Sequence, residues 1–99
     1  MTEATPHELS LPQEQILHLR AQAHALKPVV LLGAAGLSDA ALKEIDRALI
    51  AHGLIKVRAG GTEREEREAM FRQIAEQLGA ARIQAIGRVF VLYRPKPEE

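Results

Sequence analysis

Residues 27–38 constrain the fold of this chain more than any other segment. The four apolar residues 29–32 are too few for a helix, and they predict a short strand buried on both faces of a sheet. Gly33 and Gly36 then bound a turn, and Ser38 is a residue type that caps helices. A strand, a glycine turn and a helix N-terminus in this order present free backbone N–H groups. That geometry favours anions, phosphate above all.

Length and composition predict one soluble domain, and the absence of cysteine is compatible with the cytoplasmic location that we expect. The chain has 99 residues, enough for a single core, and it has no cysteine for disulfides or a thiolate zinc site. No apolar run approaches the ~20 residues of a membrane helix, and the N-terminus lacks a signal-peptide pattern. Since aromatic residues make up only 3% of the chain, we expect an aliphatic core.

Three helices are predicted from apolar residues at helical spacing. The first follows a capping-box spacing at Ser10 and Gln13 and ends near residue 24, before Pro28. The second begins at the Ser38 cap and ends at Gly53. The third begins at a capping box formed by Thr62 and Glu65 and ends at Gly79. The predicted apolar stripes are Ile16, Leu19, Ala23 and Leu26; Leu42, Ile45 and Leu49; and Met70, Phe71, Ile74, Ala75 and Leu78.

The remaining strands complete a four-stranded mixed sheet. In residues 54–59, Lys56 and Arg58 alternate with Ile55 and Val57 and therefore share the opposite face. Residues 82–86 and 89–94 form a hairpin around the two-residue turn 87–88. The order α-β-α-β-α-β-β predicts an α/β sandwich with the second and third helices on one face. We expect the domain to span residues 10–95, between tails at 1–9 and 96–99.

Three separated motifs resemble a known family. They are residues 26–37 around the G-x-x-G turn, residues 54–57, and the closing hairpin, residues 86–94. In order and spacing they look like the YhbY-type CRM domain (chloroplast RNA splicing and ribosome maturation). The resemblance covers about residues 11–95. It implies a fold similar to the C-terminal domain of translation initiation factor three. It also implies RNA binding and association with precursors of the large ribosomal subunit.

The family's RNA-contacting loop maps onto Gly33, Ala34, Ala35 and Gly36. A G-x-x-G turn lets an RNA backbone approach closely because no side chain intervenes, as in KH domains. The inner Ala-Ala pair adds no polar contact, so backbone N–H groups and neighbouring bases have to supply the affinity. The alternative is that Gly33 and Gly36 only permit a tight turn.

The net charge is zero, yet the positive charges are segregated along the chain. Of 13 Lys and Arg residues, all but Lys43, Arg64, Arg67 and Arg72 lie in stretches without acids. As RNA-contacting residues we favour Lys27, Arg20 and Arg88, because bases on the first helix and in loops can flank the turn 33–36; Lys56 and Arg58 follow. Each could equally be a solvated surface charge.

Enzyme functions find little support in the sequence. The four histidines are scattered without metal-ligand spacing, and the glycine turn lacks the lysine of a P-loop. We predict no catalysis, no cofactor, no metal, no small-molecule substrate and no membrane contact, and a monomer that binds RNA. The alternative is a protein-interaction adaptor that uses the acidic third helix, with Glu65, Glu66 and Glu68 as its contact residues.

Overall fold

The computed structural model describes residues 7–33, 36–60 and 63–96, which contain three helices and four strands. The elements are α1 (Gln13–Ala23), β1 (Pro28–Leu32), α2 (Asp39–His52), β2 (Leu54–Ala59), α3 (Arg64–Leu78), β3 (Ala81–Ile86) and β4 (Val89–Tyr93). This order confirms the predicted α/β architecture. No helix in the described part of the chain is long and apolar enough to span a membrane.

The sheet has the strand order β1-β2-β4-β3. β1 pairs with β2 in parallel, and β4 is antiparallel to both of its neighbours, so β3 runs in the same direction as β2. The crossovers through α2 and α3 therefore progress in the same direction across the sheet. Two right-handed crossovers of that kind place both helices on one face, as predicted.

The larger core lies between the sheet and the helices α2 and α3. Ile45, Leu49 and Ile74 are each 0% exposed. They pack against the residues of β1, β2 and β4 that face α2 and α3. Phe71 of α3 stacks on Phe90 of β4, with ring centroids 4.7 Å apart. The apolar stripes predicted for α2 and α3 are thus confirmed as core.

The smaller core lies on the other face, under α1. Leu19 and Ala23 pack against Ala81, Ile83 and Val91, which belong to β3 and β4. Because α1 has only 11 residues, it covers only part of this face. The face of β1 on the α1 side of the sheet is left exposed to solvent.

The prediction that β1 is buried on both faces is therefore wrong. Val30 and Leu32 are buried in the larger core, but Val29 is 48% and Leu31 71% exposed. An all-apolar run is typical of a strand covered on both sides. Here the covering helix packs over β3 and β4 instead, which leaves apolar side chains in water.

The structure confirms the predicted cap of α2 but not the predicted cap of α1. The Ser38 Oγ accepts a hydrogen bond from the Ala41 N–H at 3.1 Å, as expected. The Ser10 capping box does not form, because α1 begins after Pro12, which makes no side-chain cap bond. Thr62 lies outside the described residues, and α3 has Glu63 at its N-cap position without a side-chain bond.

Contacts of the domain begin before residue 10. The Leu9 N–H donates to the Ala80 carbonyl at 3.0 Å, and both carboxylate oxygens of Glu8 accept from the Arg82 guanidinium, at 2.6 and 2.9 Å. These bonds tie part of the segment expected to be a tail to β3. The hydrogen bond to Glu8 raises the pKa of Arg82 above its ordinary value.

Candidate nucleic-acid interface

Three turns meet at one end of the sheet, which we call the loop end: the Gly33–Gly36 turn, Gly60 and the Gly87–Arg88 turn. They are brought together by the strand register, and two backbone bonds join them. The Gly60 N–H donates to the Leu32 carbonyl at 3.1 Å, and the Ala59 N–H donates to the Arg88 carbonyl at 2.7 Å. Backbone hydrogen bonds therefore join the described residues of all three segments at the loop end.

The Gly33–Gly36 turn is closed by a hydrogen bond from the Gly36 N–H to the Gly33 carbonyl, at 3.0 Å. Gly36 has φ +79°, a conformation that side chains with a Cβ adopt only under strain. Gly33 is exposed, and a Cβ added there meets no atom within 4 Å. Ala34 and Ala35, predicted to contact RNA, lie outside the described residues.

The two glycines are expected to respond differently to alanine. Gly36→Ala forces a Cβ into the left-handed region and should lower the free energy of unfolding by about 1–2 kcal/mol. Gly33→Ala occupies open space at ordinary φ and should leave stability unchanged or raise it by up to about 1 kcal/mol. Urea unfolding of both variants measures the difference. Equal destabilisation would contradict this description of the turn.

Both α2 and α3 begin at the loop end, because each follows directly on a strand that ends there. Their N-termini therefore direct backbone N–H groups and the positive ends of two helix dipoles toward this rim. Met70 of α3 lies under the turn, with its Sδ 3.7 Å from the position of a Cβ on Gly36. The acidic residues in the first turns of these helices, Asp39, Glu65 and Glu66, offset part of this field.

Arg58 and Arg88 lie at the loop end on β2 and in the hairpin turn, whereas Arg64, which lines a cavity with Gly87 at the start of α3, is paired with Glu68. Arg58 lies one residue before the end of β2 and pairs with Leu31 on one side and Val89 on the other. Arg88 is in the hairpin turn itself and is exposed. Neither side chain forms a hydrogen bond or ion pair with the described residues, so both guanidinium groups are available to an anion.

A groove of about 180 Å³ runs between α1 and the sheet. Its wall is formed by α1 through Arg20 and His24, and its floor by Lys56, Gln84 and Ile86. None of the described residues that line it is acidic. The groove thus gathers predicted cations from two distant segments, and it adds Gln84, which sequence reasoning missed. Strict alternation from Ile83 would place Gln84 on the other face, and the register irregularity between Arg82 and Gln84 brings it to the groove, which no sequence pattern predicts.

The two cations of the groove are held by backbone carbonyls. The Arg20 Nε–H donates to the Ile83 carbonyl at 2.9 Å, and the Lys56 ammonium donates to the Leu26 carbonyl at 3.0 Å. Each bond uses one donor of a group that has several, so N–H groups remain for a ligand. Because the bonds fix the side chains, little conformational entropy is lost when an anion binds.

Lys27 does not flank the Gly33–Gly36 turn. It precedes β1, whereas Gly33 follows it, and five strand residues span about 16 Å. Arg20 donates to the Ile83 carbonyl, which lies midway along β3 and not at the loop end. RNA contacts by these two residues stay predictions, but the reason for ranking them above Arg58 does not hold in the structure.

Two cations from the acid-free stretches are neutralised in the fold. Arg82 pairs with Glu8 as described, and the Arg94 guanidinium donates to the Asp46 carboxylate and to the Leu78 carbonyl, both at 2.8 Å. Arg82 joins β3 to the N-terminal segment and Arg94 joins the end of β4 to α2 and α3, so neither contributes a free cation to a basic surface. The grouping of positive charges in acid-free stretches of the sequence therefore overstates the size of the basic surface.

The acidic third helix lies on the opposite face of the sheet from α1. Arg64 and Glu68 form an ion pair along the helix, at 3.2 Å, while Glu65 and Glu66 are exposed. In the parts of the chain that the structure describes, no group of three or more His, Asp or Glu side chains could hold a metal ion.

Comparisons with known proteins identify a family and similar proteins. The model of the CRS1 / YhbY (CRM) domain matches residues 11–94. A Haemophilus influenzae protein named "RNA-binding protein" is 44% identical over 90 residues, which are 91% of this chain and 89% of that protein. A Pseudomonas aeruginosa protein named "probable RNA-binding protein" is 36% identical, over 91% of this chain and 86% of that relative.

A solved structure shows the same fold. The solution structure of the Staphylococcus aureus protein SAV1595, described as a candidate RNA-binding protein, aligns with a TM-score of 0.80 and 28% sequence identity. The alignment covers 90% of this chain and 93% of that one. The architecture is therefore shared over nearly the whole length of both chains.

Proposed function

Because the chain belongs to the CRS1/YhbY (CRM) domain family, we propose that it is a non-enzymatic RNA-binding protein. The observation that carries the proposal is the loop end, where Gly33 and Gly36 share one end of the sheet with Arg58 and Arg88, two cations that form no ion pair with the described residues. An RNA backbone needs close approach to N–H donors and cations that are not already neutralised. The loop end offers both, and the groove beside α1 extends the cationic surface through Lys56 and Arg20.

We further propose that the RNA is ribosomal and that the protein associates, as a cytoplasmic monomer, with precursors of the large ribosomal subunit. The resemblance of the three motifs to YhbY-type proteins supports this role. A small domain that binds backbone and shape rather than a long sequence suits a factor that joins a folding RNA and then leaves it.

Sedimentation of a cell lysate through a sucrose gradient tests the ribosomal role. We expect the wild-type protein to comigrate with large-subunit precursors at low salt. Gly33→Glu places a carboxylate at the exposed turn, where an added Cβ meets no atom within 4 Å, and it should move the protein to the top of the gradient. Ala51→Glu adds the same charge to the exposed far end of α2 and should leave comigration unchanged.

Two results would contradict this role. One is wild-type protein that stays at the top of the gradient at every salt concentration. The other is comigration that resists RNase but is lost on charge reversal at Glu65 and Glu66. The second result would instead favour the protein-interaction adaptor with α3 as its contact face.

A further inference from the structure

One row of side chains crosses all four strands at the loop end, on the face that α1 leaves open. The register places Leu31 beside Arg58, Arg58 beside Val89 and Val89 beside Ile86. Leu31 is 71% and Ile86 56% exposed. Four strands at sheet spacing give the row a length of about 14 Å. We call these four residues the cross-strand row.

The cross-strand row combines apolar surface with Arg58, which forms no ion pair with the described residues. Burying Leu31 or Ile86 within this chain would require an element over β1 and the outer end of β3, and α1 packs elsewhere. Exposed apolar side chains grouped on one surface mark a contact site more often than scattered ones do. Arg58, between them, selects for an occupant that carries negative charge as well as apolar faces.

We propose that the cross-strand row and the adjoining groove form a platform for the bases of single-stranded RNA. This inference rests on the proposed function and extends it from backbone contact to the class of RNA. A single strand exposes the flat apolar faces of its bases and keeps a phosphate on every nucleotide. In a duplex those faces are stacked away. Leu31 and Ile86 would pack on the bases while Arg58 and Arg88 bind the flanking phosphates.

The groove continues this surface without a break. Ile86 belongs both to the cross-strand row and to the groove floor, so a strand that leaves the row meets Gln84, Lys56 and the α1 wall. The Gln84 side-chain amide forms no hydrogen bond with the described residues. It offers both a donor and acceptors to a base edge. At the other side the row ends beside Gly33, which is exposed and has no side chain that would hinder a phosphate.

Charge complementarity favours RNA over an apolar protein segment as the occupant. The row and the groove together hold Arg58, Lys56 and Arg20, and no acid occurs among their described residues. A neutral apolar peptide would have to desolvate these cations without compensation. An RNA strand supplies one phosphate per nucleotide and needs no aromatic platform, since aliphatic side chains also pack on base faces.

Methyl NMR of the full chain tests the platform directly. A single-stranded oligoribonucleotide without secondary structure should shift the Leu31 and Ile86 methyl signals upfield, because stacked bases exert ring currents. The Ile50 methyl signals on α2, 47% exposed, should not move. An abasic oligomer of equal length should shift the backbone amides of Gly33 and Gly36 but not the two methyl groups. A matched RNA duplex should likewise leave the methyl groups unshifted.

Affinity measurements on variants complete the test. Leu31→Ser and Ile86→Ser should each weaken single-strand binding about threefold to tenfold, as expected when a few tens of Å² of apolar surface stay in water. The slope of log affinity against log salt should not change, since no phosphate contact is lost. Ile50→Ser is the matched control and should bind as the wild type does.

The outcomes separate the platform from the proposed function. If the wild type binds RNA while the methyl groups do not shift and both serine variants bind normally, the platform is wrong and RNA binding stands. If the wild type binds no RNA of any kind, both ideas fail. If single strands and duplexes shift the two methyl groups equally, the restriction to single strands is refuted.

Discussion

The Arg58→Gln/Arg88→Gln protein is expected to bind single-stranded RNA roughly tenfold more weakly than the wild type at physiological salt. Both arginines lie at the loop end without a partner among the described residues, so each can neutralise a phosphate. Losing two such contacts should also lower the slope of log affinity against log salt by about 1.4, at ~0.7 per contact with a single strand. Fluorescence anisotropy with a labelled oligoribonucleotide, repeated across a salt series, measures both quantities.

The matched control is Arg47→Gln/Arg72→Gln. It changes the net charge equally, but these exposed arginines lie two turns or more into α2 and α3, away from the loop end. We expect its affinity to fall much less than that of the loop-end variant. Equal losses in the two double variants would mean that overall charge governs binding, and the assignment of the loop end would then be wrong.

Phe90→Ala is expected to lower the free energy of unfolding by about 3–5 kcal/mol, the usual cost of emptying a buried aromatic position. Phe90 is 1% exposed and lies on β4, between β2 and β3 in the sheet, and its ring stacks on Phe71. The deletion therefore removes contacts to the sheet and to α3 together. For a domain of this size that is a large part of the total stability.

Urea unfolding followed by circular dichroism measures this loss. Leu17→Ala on α1 removes a side chain that is 52% exposed, and it should change stability far less. A cost for Phe90→Ala below about 1.5 kcal/mol would mean that the core between the sheet and α3 is not packed as described. Because Phe90 also lines the cavity beside Gly87, we expect the hairpin at the loop end to loosen in this variant.

The sequence predicted the fold well because each boundary had a local cause. Ser38 caps α2, Gly79 ends α3 in the left-handed conformation, and Gly87 with φ +57° permits the two-residue turn between β3 and β4. The crossover rule then fixed which helices share a face. Where local causes were weak, as at Ser10, the predicted cap did not form.

The candidate site was harder to predict because it depends on packing between distant segments. The exposure of Leu31 follows from the position of α1 over β3 and β4, which no pattern within β1 reveals. The pairing of Arg82 with Glu8 joins residues far apart in sequence. Lys27 and Gly33 are close in sequence, but the extended strand between them separates them.

The most direct test of RNA binding is the wild-type titration itself, with a single-stranded oligoribonucleotide at two or more salt concentrations. We predict saturable binding that weakens as salt rises, and that is lost in Gly33→Glu but kept in Ala51→Glu. Binding that is insensitive to salt, or equally affected by the two glutamate variants, would contradict an interface at the loop end. Absence of binding at the lowest salt would contradict RNA binding altogether.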